Sequence, residues 1–348
     1  MGFWQGKRVL ITGHTGFKGA WLSELLMARG AEIFGIALPP EGGQNLFQVL
    51  NLDQRMQGAF VDIRDPEALA TEIRSFAPDI VLHLAAQALV RRSYRDPVGN
   101  WSTNVMGTVH LLDALRQLDR PVTAVVVTTD KVYENNEWDF AYRETDPLGG
   151  HDPYSASKAA CELVSASWRR SFGSDRLKIA TARAGNVIGG GDWAEDRLVP
   201  DIIRALRTGK AIEIRNPASI RPWQHVLDPL EGYLLLAEKV HLASDGAYQD
   251  GYNFGPEPAD VHPVGDLADA MIHHWPGHWI DASDPDAVHE AGRLSLSIDR
   301  ARNELGWAPV WRFEDAIEKT VHWYHQVEFG ANPVDMTQAQ IAAFEAAK

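Results

Sequence analysis

Hydrophobic residues in the first half of the chain fall into two alternating patterns. Short, nearly continuous apolar runs occur at Lys7–Thr12, Glu32–Leu38, Ala59–Ile63, Ile80–Ala85, Val122–Thr128 and Leu177–Ala182, and their length and β-branched content predict strands. Between them, Phe17–Arg29, Pro66–Phe76, Val98–Gln117 and Tyr154–Arg170 carry apolar positions at helical spacing. Asp65 offers an N-cap and Pro66 a first-turn proline to the second of these helices. Strands that are apolar throughout, each followed by a helix, predict a parallel sheet covered on both faces. Beyond about Gly185 the rhythm loosens, and helices such as Val199–Thr208 and Val264–Trp275 are separated by irregular Trp-, Pro- and Gly-rich segments. The expected architecture is α/β. A doubly wound parallel sheet occupies residues 1–185, with return segments around 225–250, and a smaller mixed α/β lobe occupies 186–348 over the carboxyl ends of the strands.

Composition narrows the function. Of 348 residues, 45% are hydrophobic and 23% charged, ordinary globular values that argue against a disordered chain. The 47 acidic against 33 basic residues give a net charge of −14, which disfavours nucleic acid as a partner. An anionic substrate must then be met by local arginines. No apolar run approaches the ~20 residues that span a bilayer, and Met1–Gly6 has neither a signal peptide's apolar stretch nor a myristoylation motif. The single cysteine, Cys161, allows no intrachain disulfide, so a reducing cytoplasm is the expected compartment; its side chain is expected against the sheet. The 13 histidines show no convincing ligand spacing, and no metal is expected.

Gly13-His14-Thr15-Gly16-Phe17-Lys18-Gly19 separates the first strand from the first helix. Gly13 suits a tight turn, Gly16 lets the backbone approach a pyrophosphate, and Gly19 lets the helix close on the sheet. The pyrophosphate would lie at the free N–H groups of that helix, with Thr15, Phe17 and Lys18 in the same cofactor-facing loop. This predicts a Rossmann-type, dinucleotide-binding fold. The acid that usually receives the adenosine ribose about 20 residues on is missing, because the second strand ends Ile36-Ala37-Leu38-Pro39-Pro40. No arginine stands there for a 2′-phosphate, so NAD is favoured over NADP. Asp62 and Ile63, at the end of the third strand, offer adenine a carboxylate and an apolar edge; Asp62 reads equally well as a capping residue.

Tyr154 and Lys158 share one face of a helix. A phenol beside an ammonium and a positive nicotinamide should ionise more easily, and can take a proton from a hydroxyl while hydride leaves the same carbon. The fifth strand ends Thr128-Thr129-Asp130-Lys131. Thr129 is placed to hydrogen-bond the reacting hydroxyl, and Thr128 with Ala85, Ala86 and Gln87 would line the nicotinamide side. Alcohol oxidation requires neither Asp130 nor Lys131. An acid and a base at a strand's carboxyl end, where ligands bind in such sheets, make sense for a second proton transfer such as elimination of water. A solvated turn is the alternative.

These residues together resemble the extended short-chain dehydrogenase/reductase superfamily, and within it the sugar-nucleotide 4,6-dehydratases. The resemblance runs through Gly13–Leu22, His83–Gln87, Thr128–Asn135, Tyr142–Lys158, Arg183–Trp193 and Arg221–Val226, covering about residues 7 to 255. The Asp130-Lys131 pair is similar to the CDP-glucose branch, whereas related branches carry carboxylates there and 4-epimerases typically lack the pair. The resemblance implies a hydro-lyase with tightly bound NAD, acting on a nucleotide-diphosphate hexose, CDP-glucose favoured. Tyr154, supported by Lys158, would deprotonate the 4-hydroxyl as hydride moves to NAD. Lys131, or a water it holds, would remove the C5 proton while Asp130 protonates the departing 6-hydroxyl, and hydride would return to C6. A lysine can be that base only if its pKa falls well below ~10.4.

By the same resemblance, Asn186 contacts phosphate and Arg221 the pyrophosphate, a role suited to a planar, permanently charged fork. Arg197, Leu198 and Ile214 would border the base, with Arg293 and Arg215 as further candidates. A homodimer is implied, its helices at about 98–117 and 154–170 pairing with their copies. The rival readings are another nucleotide-sugar 4,6-dehydratase or 4-epimerase of the same fold, and a non-catalytic dinucleotide sensor. A sensor would be free to lose Tyr154, Lys158 or Asp130.

Overall fold

The computed structural model describes residues 2–284 and 292–348. Its centre is a seven-stranded sheet built from β1 (Arg8–Thr12), β2 (Glu32–Ala37), β3 (Gln57–Phe60), β4 (Ile80–His83), β5 (Val122–Val127), β6 (Leu177–Ala184) and a last strand, Gly251–Phe254. All six strand pairings are parallel. The order is Gly251–Phe254, β6, β5, β4, β1, β2, β3, so the connections reverse direction between β1 and β4. A crevice at the carboxyl ends of those two strands is where such a sheet binds ligands. This is the α/β, Rossmann-type doubly wound fold, and its helices cover both faces: Trp21, Leu22, Leu25 and Leu26 of α1 (Phe17–Ala28) pack on one, Leu69, Ile73, Leu111 and Leu115 on the other.

The local chemistry follows the sequence closely. Asp65 accepts from the N–H groups of Glu67 and Ala68 at 3.1 and 3.0 Å, with Pro66 in the first turn of Pro66–Phe76. Two features differ from expectation. β3 ends at Phe60, leaving Asp62 and Ile63 in the following turn. The helix expected over Val98–Gln117 runs as Pro97–Trp101, a π-helical turn Ser102–Met106, and Gly107–Arg116. The last strand, Gly-Tyr-Asn-Phe, has no strong strand signal; it forms by pairing with Thr181–Ala184 of β6, a case of tertiary pairing overriding propensity.

After β6 the chain builds small two-stranded sheets, including Ile212–Ile214 with Trp279–Asp281, around the helices Leu198–Thr208 and Val264–His274. The helix Leu227–Leu242 returns to the sheet and packs on β5 and β6. Among the described residues, no helix is long and apolar enough to cross a membrane.

Candidate active site

The glycine loop is shaped by two close approaches and one opening. Gly13 has φ +80°, and a Cβ there would lie 2.7 Å from the Ala85 nitrogen. A Cβ on Gly19 would lie 2.2 Å from the Gly13 carbonyl oxygen, so the helix cannot close on the loop with any larger residue. Gly16 is different: it is exposed, and a Cβ would meet only the Gly13 oxygen, at 3.4 Å. Gly16 is also the N-cap of α1, with no side chain capping the first turn. An open backbone at an uncapped helix N-terminus fits a pyrophosphate, and the loop therefore fits NAD.

The other loop residues have distinct neighbours. Thr15 donates to the Leu38 carbonyl at 3.0 Å, tying the loop to the end of β2. The Phe17 ring faces Gly189. Lys18 leaves the loop: its Nζ donates to Tyr233 Oη at 3.3 Å. Burial, then Arg197, pull the Lys18 pKa down to about 7, against the opposing charge of Asp130.

Catalytic candidates converge at the end of β5. Thr129 caps the short 3-10 turn Asp130–Val132, and its Oγ1 donates to Asp130 Oδ1 at 2.9 Å. The same hydroxyl acts on the Tyr154 phenol, opposing the rise that burial gives its pKa. Tyr154 and Lys158 project from the helix Pro153–Phe172. Asp152 fixes the start of that helix, accepting from Ser155 N at 3.0 Å and Ser155 Oγ at 2.6 Å, with Pro153 in the first turn. Asp130 is only 2% exposed and its Oδ2 has no hydrogen-bond partner among the described residues. Burial pushes its carboxyl above the usual range, opposed by Lys131, Thr129, Arg221 and Lys18. That is the direction a proton donor requires.

The expectation of an easily ionised Tyr154 rests on Lys158 and a positive nicotinamide together, and the protein alone shifts the phenol the other way. Burial raises its pKa to about 12, with the Thr129 hydrogen bond and Arg197 opposing. Lys158 is buried and turned toward the Val127 carbonyl, to which its Nζ donates at 3.0 Å. Of the two positive charges invoked for the phenol, the protein's own is directed elsewhere, and the nicotinamide's is the one that remains.

Behind this cluster lies a buried ionic network. Glu162, one turn beyond Lys158, accepts from Thr128 Oγ1 at 2.5 Å, Thr181 Oγ1 at 2.6 Å and Arg183 Nη2 at 2.9 Å. Arg183 Nη1 also donates to Tyr133 Oη at 2.8 Å. Burial raises the Glu162 pKa, but Arg183 and the two hydroxyls outweigh it and hold the carboxyl below its ordinary value. The Thr128 hydroxyl is thus aimed at Glu162 and not at the cofactor crevice. Cys161 does not face the sheet: its Sγ donates to the Asn104 carbonyl at 3.1 Å. Asn104 lies in the π-helical turn, and its side chain binds the Gln87 N–H at 2.8 Å, the Gln87 carbonyl at 3.1 Å and Ser157 Oγ at 2.9 Å. The π turn therefore couples the Ala85-Ala86-Gln87 segment to the Tyr154 helix, as such insertions often do at functional sites.

The second lobe supplies some candidates and withholds others. Arg197, at the N-cap of Leu198–Thr208, holds Asp192 Oδ2 at 3.0 Å and its charge reaches Tyr154. Arg221 donates to the Ile220 carbonyl at 2.9 Å and its charge reaches Asp130. The Asn186 carbonyl accepts from Gln224 N at 3.1 Å. Ile214 is buried in the lobe's core, and Arg293 is held by Asp139 at 2.6 Å, so neither joins the cluster. Arg215 faces Asp196 at 3.5 Å. At the far edge, Asp62 is bound by Arg64, and Ile63 fills the space that a side chain on Gly107 would need. Sequence reasoning missed Tyr233, which reaches the site only because Leu227–Leu242 folds back, and Asp192, whose Gly-Gly-Gly-Asp-Trp context was the available signal. Among the described residues, no group of three His, Cys, Asp or Glu is placed to hold a metal.

The chain matches the GDP-mannose 4,6 dehydratase family over residues 10–320. It is 46% identical over 331 residues to the CDP-glucose 4,6-dehydratase of Salmonella typhimurium, covering 92% of this chain and 91% of that protein. Among solved structures, the dTDP-glucose 4,6-dehydratase of Streptomyces venezuelae with NAD bound superposes with a TM-score of 0.80 at 27% identity, over 94% of this chain and 99% of that one. The UDP-glucose 4-epimerase of Thermus thermophilus in complex with NAD gives 0.80 at 28% identity, over 91% and 99%.

Proposed function

Because the chain belongs to the GDP-mannose 4,6-dehydratase family, an NAD-dependent group of sugar-nucleotide dehydratases, we propose that it converts CDP-glucose to CDP-4-keto-6-deoxy-glucose and water. In this reading residues 1–185 hold the cofactor and 186–348 mainly the nucleotide sugar. One observation carries the choice of elimination over epimerisation: a buried Asp130 beside Tyr154, its carboxyl pushed above the usual range by burial and its Oδ1 accepting from Thr129 Oγ1 at 2.9 Å. Inverting a hydroxyl needs no such acid.

Gly13, Gly16 and Gly19 would hold NAD, which would supply an acceptor for two electrons from C4 and a donor of them to C6. The protein's residues manage the protons. Tyr154 receives the proton of the 4-hydroxyl, with Thr129 orienting both partners. The 4-ketone acidifies the C5 hydrogen, which Lys131, half-buried beside Asp130, removes. Asp130 delivers its proton to the C6 oxygen, which leaves as water. In this reading Arg221 and Asn186 would meet the diphosphate and Arg197 would border the base, giving an acidic protein a local positive site.

Support for a homodimer lies on the helices at 97–116 and 153–172. Val98 is 78% exposed and Leu163 62%, with Trp101 and Met106 also exposed. Apolar side chains in such a stripe suit a helix-on-helix interface between two copies. The cytoplasm is the compartment this reading assigns.

The test is direct. Purified protein incubated with CDP-, UDP-, GDP- and dTDP-hexoses should form the alkali-absorbing 4-keto product with CDP-glucose. Deuterium placed at C4 should appear in the new methyl group. Product with another base but not cytidine would reassign the substrate, and a C4-inverted sugar with no ketone would make the protein an epimerase.

A further inference from the structure

The Arg197 guanidinium stands where its own helix opposes it. Arg197 is the N-cap of Leu198–Thr208, and its side chain makes no capping hydrogen bond. The N-terminal end of a helix carries partial positive charge, so a cation settles there only beside an offsetting anion. Asp192 is that anion. Its Oδ2 accepts from Arg197 Nη1 at 3.0 Å, and its Oδ1 accepts from the Ala194 N–H at 3.1 Å. The Asp192 side chain is 6% exposed and that of Arg197 37%. The acid is therefore fixed through both oxygens, while the arginine keeps an open face and further N–H donors for a ligand.

Asp192 is in turn held from a distant part of the chain. Tyr324, in the helix Phe313–Glu328, donates its hydroxyl to the Asp192 carbonyl at 2.6 Å. Its ring meets Trp193 edge-on, with 5.2 Å between centroids. A Cβ on Gly190 would lie 2.1 Å from Trp323 Cγ, and the Gly190 carbonyl accepts from Trp21 Nε1 of α1 at 2.9 Å. Trp21, Trp323 and Tyr324 are all buried, so residues 190–193 are clamped between α1 and the helix Phe313–Glu328. On the other side, Asp196 lies 3.6 Å from Arg91 in the helix Val90–Arg95 that follows β4. Arg197 thus stands at the crevice between the lobes.

Resting on the reading of Arg197 as a neighbour of the base, we propose that Tyr324 and Asp192 are positioning residues for Arg197, and through it set the affinity for the nucleotide half of the substrate. A long side chain gives up rotamer freedom when a ligand fixes it. Here the fold orders the arginine before the ligand arrives, and such preorganisation shows as affinity. The reacting end is held by other elements, β5 and the helix Pro153–Phe172. Loosening Arg197 therefore weakens ground-state and transition-state binding alike, which raises KM and leaves kcat.

The experiment is steady-state kinetics on whichever nucleotide hexose the native protein dehydrates, with retained NAD and thermal midpoint measured for every variant. Tyr324→Phe keeps the ring against Trp193 and removes one hydroxyl. Its KM is expected to rise about tenfold, the size of one buried hydrogen bond, with kcat within about twofold and retained NAD unchanged. Asp192→Asn weakens the ion pair and should raise KM by roughly thirtyfold. Adding Tyr324→Phe to it should raise KM by less than about twofold more, because both act through one arginine. Thr320→Val is the control for a loosened helix: it removes the buried hydroxyl that donates to the Ala316 carbonyl at 2.6 Å, and should lower the thermal midpoint while leaving KM unchanged. An equal rise of KM in Thr320→Val, additive effects in the double variant, or a fall in kcat at constant KM in Tyr324→Phe would overturn the positioning role. A native protein that dehydrates no nucleotide hexose removes the reading of the site as well; native turnover with an unchanged KM in Tyr324→Phe removes the positioning alone.

Discussion

Two stretches of the same sheet edge treat charge in opposite ways. Where β4, β5 and β6 end, Asp130, Tyr154, Lys158 and Glu162 are all buried and tied to one another or to main-chain carbonyls. Where β2 and β3 end, ionic pairs are reached by water: Arg64 with a half-buried Asp62, and Arg92 with an exposed Glu41. Low dielectric makes each charge at the first end consequential, and Asp130 and Tyr154 both shift in response. Solvent screens the second end. The division suits a reaction in which protons and electrons move at one end of a dinucleotide while the other end is merely held.

The largest expected effect tests the dry end at its centre. Tyr154→Phe should lower turnover by about 10⁴-fold, the upper range for loss of a general base, while leaving the bound NAD content unchanged. Retained activity would mean that Thr129 or Lys158 handles the 4-hydroxyl proton instead.

Next comes the ionic network behind it. Glu162→Gln leaves Arg183 buried without its counter-ion and should cost roughly 3–5 kcal/mol in denaturant unfolding. The sign with pH follows from the native carboxyl lying below its unfolded value. Its contribution is present above the unfolded pKa of about 4.5 and lost as pH falls through the lower native pKa. The variant should lose that part of the acid dependence, and an unaltered pH profile would show that the pair is not coupled to folding as described.

Asp130→Asn is a smaller but more diagnostic change. Removing the acid should slow formation of the 6-deoxy product by about a hundredfold. Oxidation at C4 should still proceed, so reduced cofactor accumulates and is visible by its near-ultraviolet absorbance. If oxidation and dehydration fall together, Asp130 positions Tyr154 and donates no proton.

What the sequence revealed follows the same division. Motifs that act through backbone geometry or adjacent residues were legible: Gly13, Gly16 and Gly19, the Asp65-Pro66 start, and Tyr154 with Lys158 one helical turn apart. Five strands were legible because buried parallel strands are apolar throughout, whereas the third, Gln57–Phe60, is largely exposed and was expected two residues later than it lies. The Gly251–Phe254 strand was not legible, since Gly251 and Asn253 disfavour a strand as much as Tyr252 and Phe254 favour one, and the segment takes its form from β6. Nor was the π turn at Ser102–Met106, which adds no residue type of its own yet aims Asn104 at Gln87 and Ser157. Lys18 was read with the loop because it is in the loop. Its side chain belongs instead to a cluster assembled from four distant segments, and Tyr233 entered with it. Spacing placed the Lys158 ammonium on the phenol's face of the helix but could not show that its Nζ also donates to the Val127 carbonyl.

The smallest predicted effect is at the wet end, where the contrast is most easily broken. Asp62 is held by Arg64 through its backbone N–H at 2.9 Å and its guanidinium, with Nε 2.9 Å from Oδ2. The hydrogen bond from Arg64 lowers the Asp62 pKa, partly offset by burial. If Asp62 meets the adenosine of NAD, Arg64→Ala leaves its carboxylate in place, still accepting the backbone N–H of residue 64 and still reached by water. An exposed pair of this kind contributes about 0.2–1 kcal/mol, so the dissociation constant for NAD, measured by calorimetry, should change by less than about fivefold. Turnover at saturating cofactor should not change at all. A loss of turnover in Arg64→Ala would mean that charge at the adenosine end reaches the proton-transfer groups across three strands, and the separation of a dry reactive end from a solvated holding end would fail.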